Sequence, residues 1–375
     1  MTADRPTPPT RGSAGSPTLT FRGGGWVIVL AAALVVVLLG WSLLGPLLGR
    51  RPVGDGRTLE SYGFDLANLA IDRAELVPSG MPRGFLSSLD DPAHLRGSEI
   101  TIYNERNRPK YLVPTDRVLG IVVNGQPHAW PLSILNVHEI VNDTVGGVPV
   151  AATYSPWCDA VSVFERTVAG KVRAFEVSGL LCDANLVFCD KPATAEAAAG
   201  TPERADSSLF VQLDGVAIAG PLVGTRLVRL PGACITTWAD WLAAHPTTTV
   251  TERDPATIRR IKEISYARYF LSPKLDFPAD PIPSDDALAA AGQRLKSPMI
   301  AVRLDEGWEL LDLEAMLSDA GPDRVIERTV GARTVRVHLP RGPAVARVES
   351  TDGAPIETVP LLRFAAEARG FNRSR

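Results

Sequence analysis

The chain has 375 residues, a formal net charge of −3 and a pI near 6.0. No block of Lys and Arg residues creates a basic surface. The composition therefore excludes a protein that holds nucleic acid by charge, and we expect no nucleic-acid partner. The four cysteines lack CxxC and zinc-type spacing, although Cys182 and Cys189 are close enough in sequence to cross-link a turn in an oxidising compartment.

The N-terminal region predicts a membrane anchor. Residues 1–25 are rich in Pro, Gly, Ser and Thr, which predicts a disordered tail. Residues 26–49 carry no charge, and at about 1.5 Å per residue they can cross about 30 Å of hydrocarbon as a transmembrane helix. Because no small-residue cleavage site follows, we predict an uncleaved signal anchor. Residues 50–77 form a linker and entry segment, and the prediction is a single-pass cell-membrane protein whose main domain lies outside the cytoplasm.

Residues 78–250 carry the clearest β pattern and are predicted to form the main domain. From Arg117, RVLGIVVNG followed by HAWPL predicts two strands joined by an Asn-Gly turn. Further predicted elements are a hairpin around Ala169-Gly170, an inserted loop over residues 193–206, a Thr-capped helix over Thr236–His245 and a closing helix over residues 360–368 with Pro360 in its first turn.

The centre of this domain is a predicted hairpin. Gly146-Gly147 is a two-residue turn signal between two β-compatible runs. With these glycines as the loop, Val145 pairs with Val148, and paired residue numbers sum to 293. A short helix ends near His138, so the far end of the hairpin is predicted to bring His138 and Cys158 together.

A faint internal repeat extends this pattern. Residues 141–154 resemble residues 325–339 at an offset of about 185, and Asp323 and Glu327 stand where the first copy has His138 and Asn142. Residues 251–375 are therefore predicted to be a degenerate second repeat with a C-terminal helix packed on the main domain. The predicted fold is α+β and β-rich, a duplicated hairpin-and-short-helix unit behind a single N-terminal transmembrane helix.

Several short motifs become specific when they are taken together. They are Val118–Asp143, which contains NGQPHAWPL and HEIVND, and Thr153–Cys158, Phe175–Gly179, Ser208–Gln212 and Gly215–Gly224. This set resembles the prokaryotic domain-of-unknown-function family number 3179 over about residues 78–250, with a weaker tail to about residue 345. The resemblance implies a fold and a site in this region, and it implies no reaction.

The chain departs from the family pattern at its cysteines. Ser155 stands where the family has the first cysteine of C-P-L-C, so Cys158 lacks its usual neighbour. A dithiol mechanism needs a second thiol to resolve the mixed disulfide. That mechanism is excluded unless Cys182, Cys189 or Cys234 supplies the thiol.

The first functional hypothesis is a metal- or small-ligand-binding site. Cys158 and His138 would be the central metal ligands, completed by Glu139, Asp143 or His245. Mixed sulfur and nitrogen ligands suit copper or zinc. The expected partners are accordingly the membrane and a metal ion or small molecule.

The second hypothesis is a cysteine-dependent acyl-transfer or hydrolytic enzyme. His138 would activate Cys158, and Asn142 or Asp143 would orient the imidazole, which requires a lowered thiol pKa. Three further residues would stabilise an oxyanion or hold a ligand, namely Ser178, Gly179 and Gln212.

The third hypothesis is a non-catalytic binding or scaffold module in which Cys158 is a packed thiol. The repeat and the missing second thiol are compatible with it. His94, His128 and His338 carry no motif, and the sequence predicts no role for them.

Overall fold

The computed structural model describes residues 25–47, 53–107, 109–191, 206–253, 255–290, 292–304, 307–342 and 345–371. Residues 1–24 of the predicted tail and residues 193–205 of the predicted loop lie outside this set. Two compact units divide the chain, Met1–Arg51 and Pro52–Arg375.

The first unit contains helix α1 (Gly25–Leu47). Its side chains from Trp26 to Gly40 are exposed. Within the described residues, no helix has both the length and the apolar character needed to cross a membrane. The membrane span therefore stays a prediction.

The second unit is α+β and β-rich, as predicted. Its helices are α2 (Ile100–Arg106), α3 (Leu132–His138), α4 (Trp238–Ala244), α5 (Pro255–Glu263), α6 (Ala267–Leu271), α7 (Asp285–Ala290), α8 (Leu313–Asp319) and α9 (Arg363–Ala368). Its strands are β1 (Leu76–Pro78), β2 (Leu89–Asp90), β3 (His94–Arg96), β4 (Arg117–Val123), β5 (Gln126–Pro131), β6 (Ile140–Val145), β7 (Val148–Ser155), β8 (Ala160–Glu165), β9 (Thr167–Val168), β10 (Lys171–Val172), β11 (Phe175–Cys182), β12 (Asn185–Asp190), β13 (Leu209–Val211), β14 (Val216–Ala219), β15 (Cys234–Thr237), β16 (Thr249–Thr251), β17 (Pro298–Leu304), β18 (Gly307–Asp312), β19 (Val325–Val330), β20 (Arg333–His338), β21 (Arg347–Ser350) and β22 (Thr358–Leu362).

The sheets join strands that are far apart in sequence. The larger ones have the orders β1-β11-β12-β13-β14, β15-β4-β5-β16-β3 and β2-β6-β7-β8, and the smaller ones are β18-β17-β22, β19-β20-β21 and β9-β10. Most pairs are antiparallel, whereas β2 joins β6 and β16 joins β5 in parallel. These long-range pairs place the segments around residues 90 and 250 beside the central hairpin.

The central hairpin has the predicted register. Val145 pairs with Val148 and Asn142 with Ala151, so paired numbers sum to 293. Gly146 and Gly147 have φ of 58° and 78°, the left-handed values that a two-residue type I′ loop requires. Local turn chemistry therefore sets this register.

Other local predictions are also confirmed. β4 and β5 meet at Asn124-Gly125, and β9 and β10 meet around Ala169-Gly170. The side chain of Thr237 accepts a hydrogen bond from the backbone N–H of Asp240 and caps α4. Each of these features depends on neighbouring residues alone.

One order of elements occurs twice in the second unit. The series β4, β5, α3, β6, β7, β8 is matched by β17, β18, α8, β19, β20, β21. β15 pairs with β4 and leads into α4, just as β22 pairs with β17 and leads into α9. Apolar residues of both series share one core, including Trp130 and Trp241 with Ile300 and Val335.

The matched order of elements differs in one detail from the repeat that the sequence predicts. α3 ends at His138 and α8 ends at Asp319, so Asp319 occupies the position for which the sequence suggested Asp323. Because the turn after α8 is longer, the offset changes between the helix and the hairpin. Glu327 remains the counterpart of Asn142, since each is the third residue of its strand.

One further prediction is wrong, and one possibility that the sequence left open is ruled out. The predicted helix over residues 360–368 is a helix only from Arg363, because Pro360 lies in β22, an edge strand that tolerates its missing N–H. Cys182 and Cys189, which the sequence allowed to cross-link a turn, form no disulfide with each other. Cys182 pairs with Asn185, four residues from Cys189 along β12, which is a separation of about 13 Å at about 3.3 Å per residue.

Candidate functional site

Glu139 occupies an unusual backbone position at the end of α3. Its φ of 55° lies in the left-handed region, which a helix end normally fills with Gly or Asn. The backbone N–H of Glu139 donates to the carbonyl of Leu135 at 2.7 Å, and its own carbonyl accepts from the N–H of Tyr154 at 2.8 Å. The chain thus holds a carboxyl-bearing residue where glycine would be less strained, which is typical of functional positions.

A cavity of about 850 Å³ lies beside this residue. Its wall is mostly apolar and includes Phe85, Leu86, Val177, Leu181, Leu186 and Ile264, together with Glu139 and the rings of Trp157, Tyr266 and Tyr269. A cavity of this size can hold a small organic molecule, and apolar walls with few polar groups are usual for such sites.

Aromatic packing builds one side of the cavity. The indole of Trp157 makes edge contacts with Tyr266, Tyr269 and Phe277 at centroid distances of 5.1, 4.9 and 5.0 Å. The Tyr269 hydroxyl donates to the carbonyl of Trp157 at 2.8 Å. The Lys296 ammonium lies 3.4 Å from the Tyr269 ring centroid and donates to the carbonyls of Tyr269 and Ser272. These contacts fasten the segment around α6 to the end of β7.

Burial dominates the electrostatics of Glu139. The residue is 6% exposed, and burial raises its pKa from 4.5 to about 8, slightly offset by the Tyr266 hydroxyl 3.5 Å from Oε1. Among the described residues, no ion pair involves this carboxylate. Glu139 is consequently a protonated acid at neutral pH, able to donate a hydrogen bond or a proton.

His138 and Cys158, predicted to meet, have different surroundings. The His138 ring nitrogens contact the carbonyl of Ser87 at 2.6 Å and the hydroxyl of Thr257 at 2.8 Å. The Cys158 thiol donates to the carbonyl of Ala184 at 3.4 Å and packs in an apolar cluster that includes Phe364. Although the register predicts their backbone proximity, α3 and the 3-10 turn Pro156–Cys158 direct the two side chains to these separate partners.

A nucleophilic cysteine requires a lowered thiol pKa, whereas the pKa of the Cys158 thiol is raised. The residue is fully buried, and burial raises its pKa from 9.0 to about 12 despite hydrogen bonds from Ser155 and Asn185. The prediction that the pKa of the Cys158 thiol is lowered is therefore wrong. This environment matches a packed, protonated thiol.

The predicted orienting residues of that mechanism serve other contacts. Asn142 donates to the Asp90 carboxylate and to the carbonyl of Phe175, and it accepts from the N–H of Phe175 at 2.9 Å. The Asp143 carboxylate accepts from the Trp130 indole N–H and contacts His94 Nε2, each at 2.9 Å. Because β6 alternates its side chains between two faces, Asn142 and Asp143 make these contacts on opposite sides of the strand.

The predicted oxyanion residues do not converge on Cys158 as donors. The Ser178 hydroxyl donates to the carbonyl of Val187 and accepts from the N–H of Leu180 inside a β-bulge. Gly179 lines the cavity with a φ of 84°. Gln212 donates to the carbonyl of Ala160 and accepts from Asn185, so its amide is a buried structural link.

The predicted metal set is not assembled. His245 packs on Trp241 with ring centroids 4.1 Å apart, while Glu139 faces the cavity. Among the described residues, the candidate ligand Asp143 belongs to a metal-compatible group, whereas His138, Cys158, Glu139 and His245 belong to none. The reason is tertiary: these residues lie on elements that direct their side chains to separate partners.

The structure instead brings together two histidines to which the sequence assigned no role. His94 Nε2 lies 2.9 Å from Asp143 Oδ1, and His128 Nε2 lies 3.5 Å from Asp143 Oδ2. The His94 and His128 rings have centroids 4.3 Å apart. A period-two pattern places His128 and Trp130 on one face of β5, but no local signal links His94, 49 residues before Asp143, to that face.

The charges of this cluster are set by its surroundings. Burial lowers the pKa of His128 to about 3, so its ring is neutral. Burial of Asp143 acts to raise its pKa, but the hydrogen bond from His94 and the nearby His128 hold that pKa below its ordinary value. The cluster thus combines a carboxylate with a neutral imidazole.

Fold and site together define a β-rich α+β protein with a large apolar cavity and a protonated buried carboxyl. A sequence model of the family DUF3179, which is described as a protein of unknown function, matches residues 98–359. This match covers more than half of the chain. The chain belongs to this family. The match begins later than residue 78 and extends past residue 345, so the C-terminal part is more fully included than the motifs indicated. No curated protein and no solved structure shows a significant match to the chain.

Proposed function

We propose that this protein binds a small, mostly apolar molecule in the 850 Å³ cavity and engages a hydrogen-bond acceptor of that molecule through protonated Glu139. The observation that carries the proposal is the carboxyl itself, buried in an apolar wall with a pKa raised to about 8. A neutral carboxylic acid in an apolar pocket is a hydrogen-bond donor and a competent general acid. Carbonyl-containing aromatic compounds match both the ring-lined wall and this donor.

The backbone of Glu139 supports the same proposal. A left-handed φ at a residue other than glycine carries a strain of about 1–2 kcal/mol. Burial of an acid adds a second local cost. Both costs fall on Glu139, a buried carboxyl that lines the cavity, which is the pattern expected where a side chain serves ligand binding rather than stability.

The test measures the binding of 2-acetylnaphthalene to the full chain. Binding is monitored through the quenching of tryptophan fluorescence. We expect saturable binding that weakens as pH rises through about 8, because Glu139 then loses the proton it donates. The carbonyl-free analogue 2-ethylnaphthalene is the matched probe, and its binding should not depend on pH in this range. The Glu139→Gln variant should bind 2-acetylnaphthalene without the pH dependence.

A pair of surface variants locates the probe. Ser265 is exposed and lines the cavity, so Ser265→Trp should obstruct it and reduce binding of both probes. Ser318 is exposed on α8 away from the cavity, and Ser318→Trp should bind as the wild type does. Equal binding by the two variants, or no saturable binding by the wild type, would contradict the proposal.

We further propose that residues 26–49 anchor the chain in the cell membrane and that the second unit lies outside the cytoplasm. The support is the uncharged run of 24 residues and the absence of a small-residue cleavage site in the sequence. Extraction with alkaline carbonate should leave the chain in the membrane fraction. An alkaline phosphatase fused at the C-terminus should be active, whereas a cytoplasmic reporter at that end should not.

We also propose that the second unit arose by duplication. The support is the recurring order and pairing of elements, with β17, β18 and α8 each starting 181 residues after β4, β5 and α3. Only the first copy carries the cavity carboxyl. An experimental structure should superpose these three elements at that single offset, and a different offset for any of them would argue against duplication.

A further inference from the structure

The cluster of His94, His128 and Asp143 has the composition of a metal site. Two imidazole nitrogens and one carboxylate oxygen lie within 4.8 Å of one another. Two ligand atoms at about 2.1 Å from a tetrahedral metal are about 3.4 Å apart. The separations from each imidazole to its nearer Asp143 oxygen, 2.9 Å for His94 and 3.5 Å for His128, lie on either side of that value, so each histidine–carboxylate pair is spaced for a shared metal ion.

Outer contacts hold these side chains in place. His128 Nδ1 lies 2.7 Å from the Thr249 hydroxyl on β16, while His128 Nε2 lies 3.1 Å from the Thr251 hydroxyl and 3.5 Å from Asp143 Oδ2. In the tautomer that donates its N–H to Thr249, Nε2 carries the lone pair that a metal ion needs. The Trp130 indole N–H and the backbone N–H of Thr144 both donate to the Asp143 carboxylate. Metal-ligating histidines and carboxylates are typically oriented by second contacts of this kind.

The cluster is also open on one side. The His128 and Asp143 side chains are 1% and 3% exposed, whereas that of His94 is 28% exposed. Three protein ligands at a partly open position leave room for water or a substrate at a bound metal. Solvent reaches the cluster along His94.

A second cluster of metal-compatible side chains lacks the features of a metal site. Glu75, Cys182 and Asp183 also lie close together, but the guanidinium of Arg369 donates to Glu75 at 2.9 Å and to Asp183 at 2.8 Å. A fixed positive charge therefore already neutralises these acids. Among the described residues, no guanidinium or ammonium contacts the Asp143 carboxylate, which faces the Trp130 indole, the N–H of Thr144 and the two imidazoles.

We propose that His94, His128 and Asp143 bind a divalent transition metal, with zinc as the preferred ion, through His94 Nε2, His128 Nε2 and the Asp143 carboxylate, and that a water molecule completes the coordination. The donor set of two imidazoles and one carboxylate suits zinc and iron(II) and disfavours calcium and magnesium. This site lies outside the Glu139 cavity: none of its three residues lines that cavity.

The experiment uses the full chain, stripped with a chelator, reloaded with zinc and dialysed before elemental analysis. We expect one zinc per chain in the wild type and at least about 100-fold weaker zinc binding in His94→Ala. His338→Ala is the matched control, because His338 also contacts a carboxylate, Glu349 at 3.2 Å, and is 30% exposed. It should bind zinc as the wild type does.

Two measurements keep the outcome independent of folding. Asp143→Asn preserves an acceptor for Trp130 but removes the charge, and it should lose zinc while its near-ultraviolet circular dichroism stays like that of the wild type. Cobalt(II) bound to the wild type should give the intense visible absorption of four- or five-coordinate cobalt. Weak bands of six-coordinate aqueous cobalt, substoichiometric zinc in the wild type, or unchanged zinc binding in His94→Ala would each overturn the proposal.

The proposed zinc site and the proposed ligand cavity can be refuted independently of each other. Glu139→Gln should bind zinc as the wild type does, because Glu139 is no part of the cluster. His94→Ala should bind 2-acetylnaphthalene with the wild-type pH dependence, since His94 does not line the cavity. Loss of both activities in either variant would indicate a folding defect, which the urea midpoint and circular dichroism of that variant would reveal.

Discussion

Replacement of Glu139 by Gln should remove a pH-dependent part of the stability of this protein. The carboxyl is buried, and burial raises its pKa from 4.5 to about 8 in the folded state. In the unfolded chain the same carboxyl titrates near its ordinary value. Between these two values the folded state holds a proton that the unfolded state has released.

The sign of the effect follows from this difference. Because the folded state binds more protons between pH 4.5 and pH 8, the free energy of unfolding decreases as pH rises through that window. The stabilisation from protonated Glu139 is complete below pH 4.5 and is lost by pH 8. Above that value the contribution no longer changes.

The magnitude comes from the size of the pKa change. The folded value lies about 3.5 above the ordinary one, and each unit is equivalent to about 1.4 kcal/mol. The upper bound is therefore about 5 kcal/mol, and water entering the cavity on ionisation would reduce it to about 2 kcal/mol. Such a change is a large fraction of the stability of an ordinary domain.

The assay is urea unfolding of the full chain at pH values between 5 and 9. Tryptophan fluorescence monitors the unfolding. Gln cannot ionise, so the difference in unfolding free energy between Glu139→Gln and the wild type should shift in favour of the variant by about 2–5 kcal/mol across this range. Glu327→Gln is the control, because Glu327 is an exposed carboxylate that pairs with Arg336. The difference between this control and the wild type should stay nearly constant with pH. Parallel stability curves for Glu139→Gln and the wild type would refute the raised pKa and the proton-donor role that depends on it.

Three further results are expected. The thiol of Cys158, with its pKa raised by burial to about 12, should resist 5,5′-dithiobis(2-nitrobenzoic acid) in the native protein and react in urea; rapid native labelling of this residue would contradict its packed environment. Asn142→Ala should lower the free energy of unfolding by about 2–4 kcal/mol in urea titrations, because it removes three hydrogen bonds, of which the two to Phe175 are buried; a loss below about 1 kcal/mol would show that they contribute little. Gly146→Ala should lower the melting temperature more than Gly147→Ala does, since both have left-handed φ but only at Gly146 would a Cβ overlap the carbonyl of Val123; equal losses would contradict the close approach.

The central hairpin shows how far sequence patterns reach. Its register, its diglycine loop and the helix ending at His138 follow from turn chemistry and from periodicity within about 30 residues. The same sequence patterns did not predict the contacts of the side chains at the open end of the hairpin. Register specifies which backbone atoms are adjacent, whereas the facing of His138 and Cys158 depends on the left-handed Glu139 and on the 3-10 turn after β7.

Long-range pairing explains the residues that the sequence did not single out. His94 reaches Asp143 because β3 joins β16, β16 joins β5 in parallel, and the Asp143 carboxylate accepts from Trp130 on β5. The cavity likewise combines Glu139 with Tyr266, more than 120 residues later in the chain. No spacing along the sequence encodes such contacts, because parallel and crossover pairing leaves no local periodic signal.

By itself the sequence determined the β-rich α+β class, the central hairpin with its turn glycines and the family. These properties follow from local backbone preferences, apolar patterning and short motifs. Only the tertiary structure decided which polar side chains meet, how deeply each is buried and therefore how each is protonated. Burial is a property of the assembled core, and it turns Glu139 into a neutral acid and Cys158 into an inert thiol.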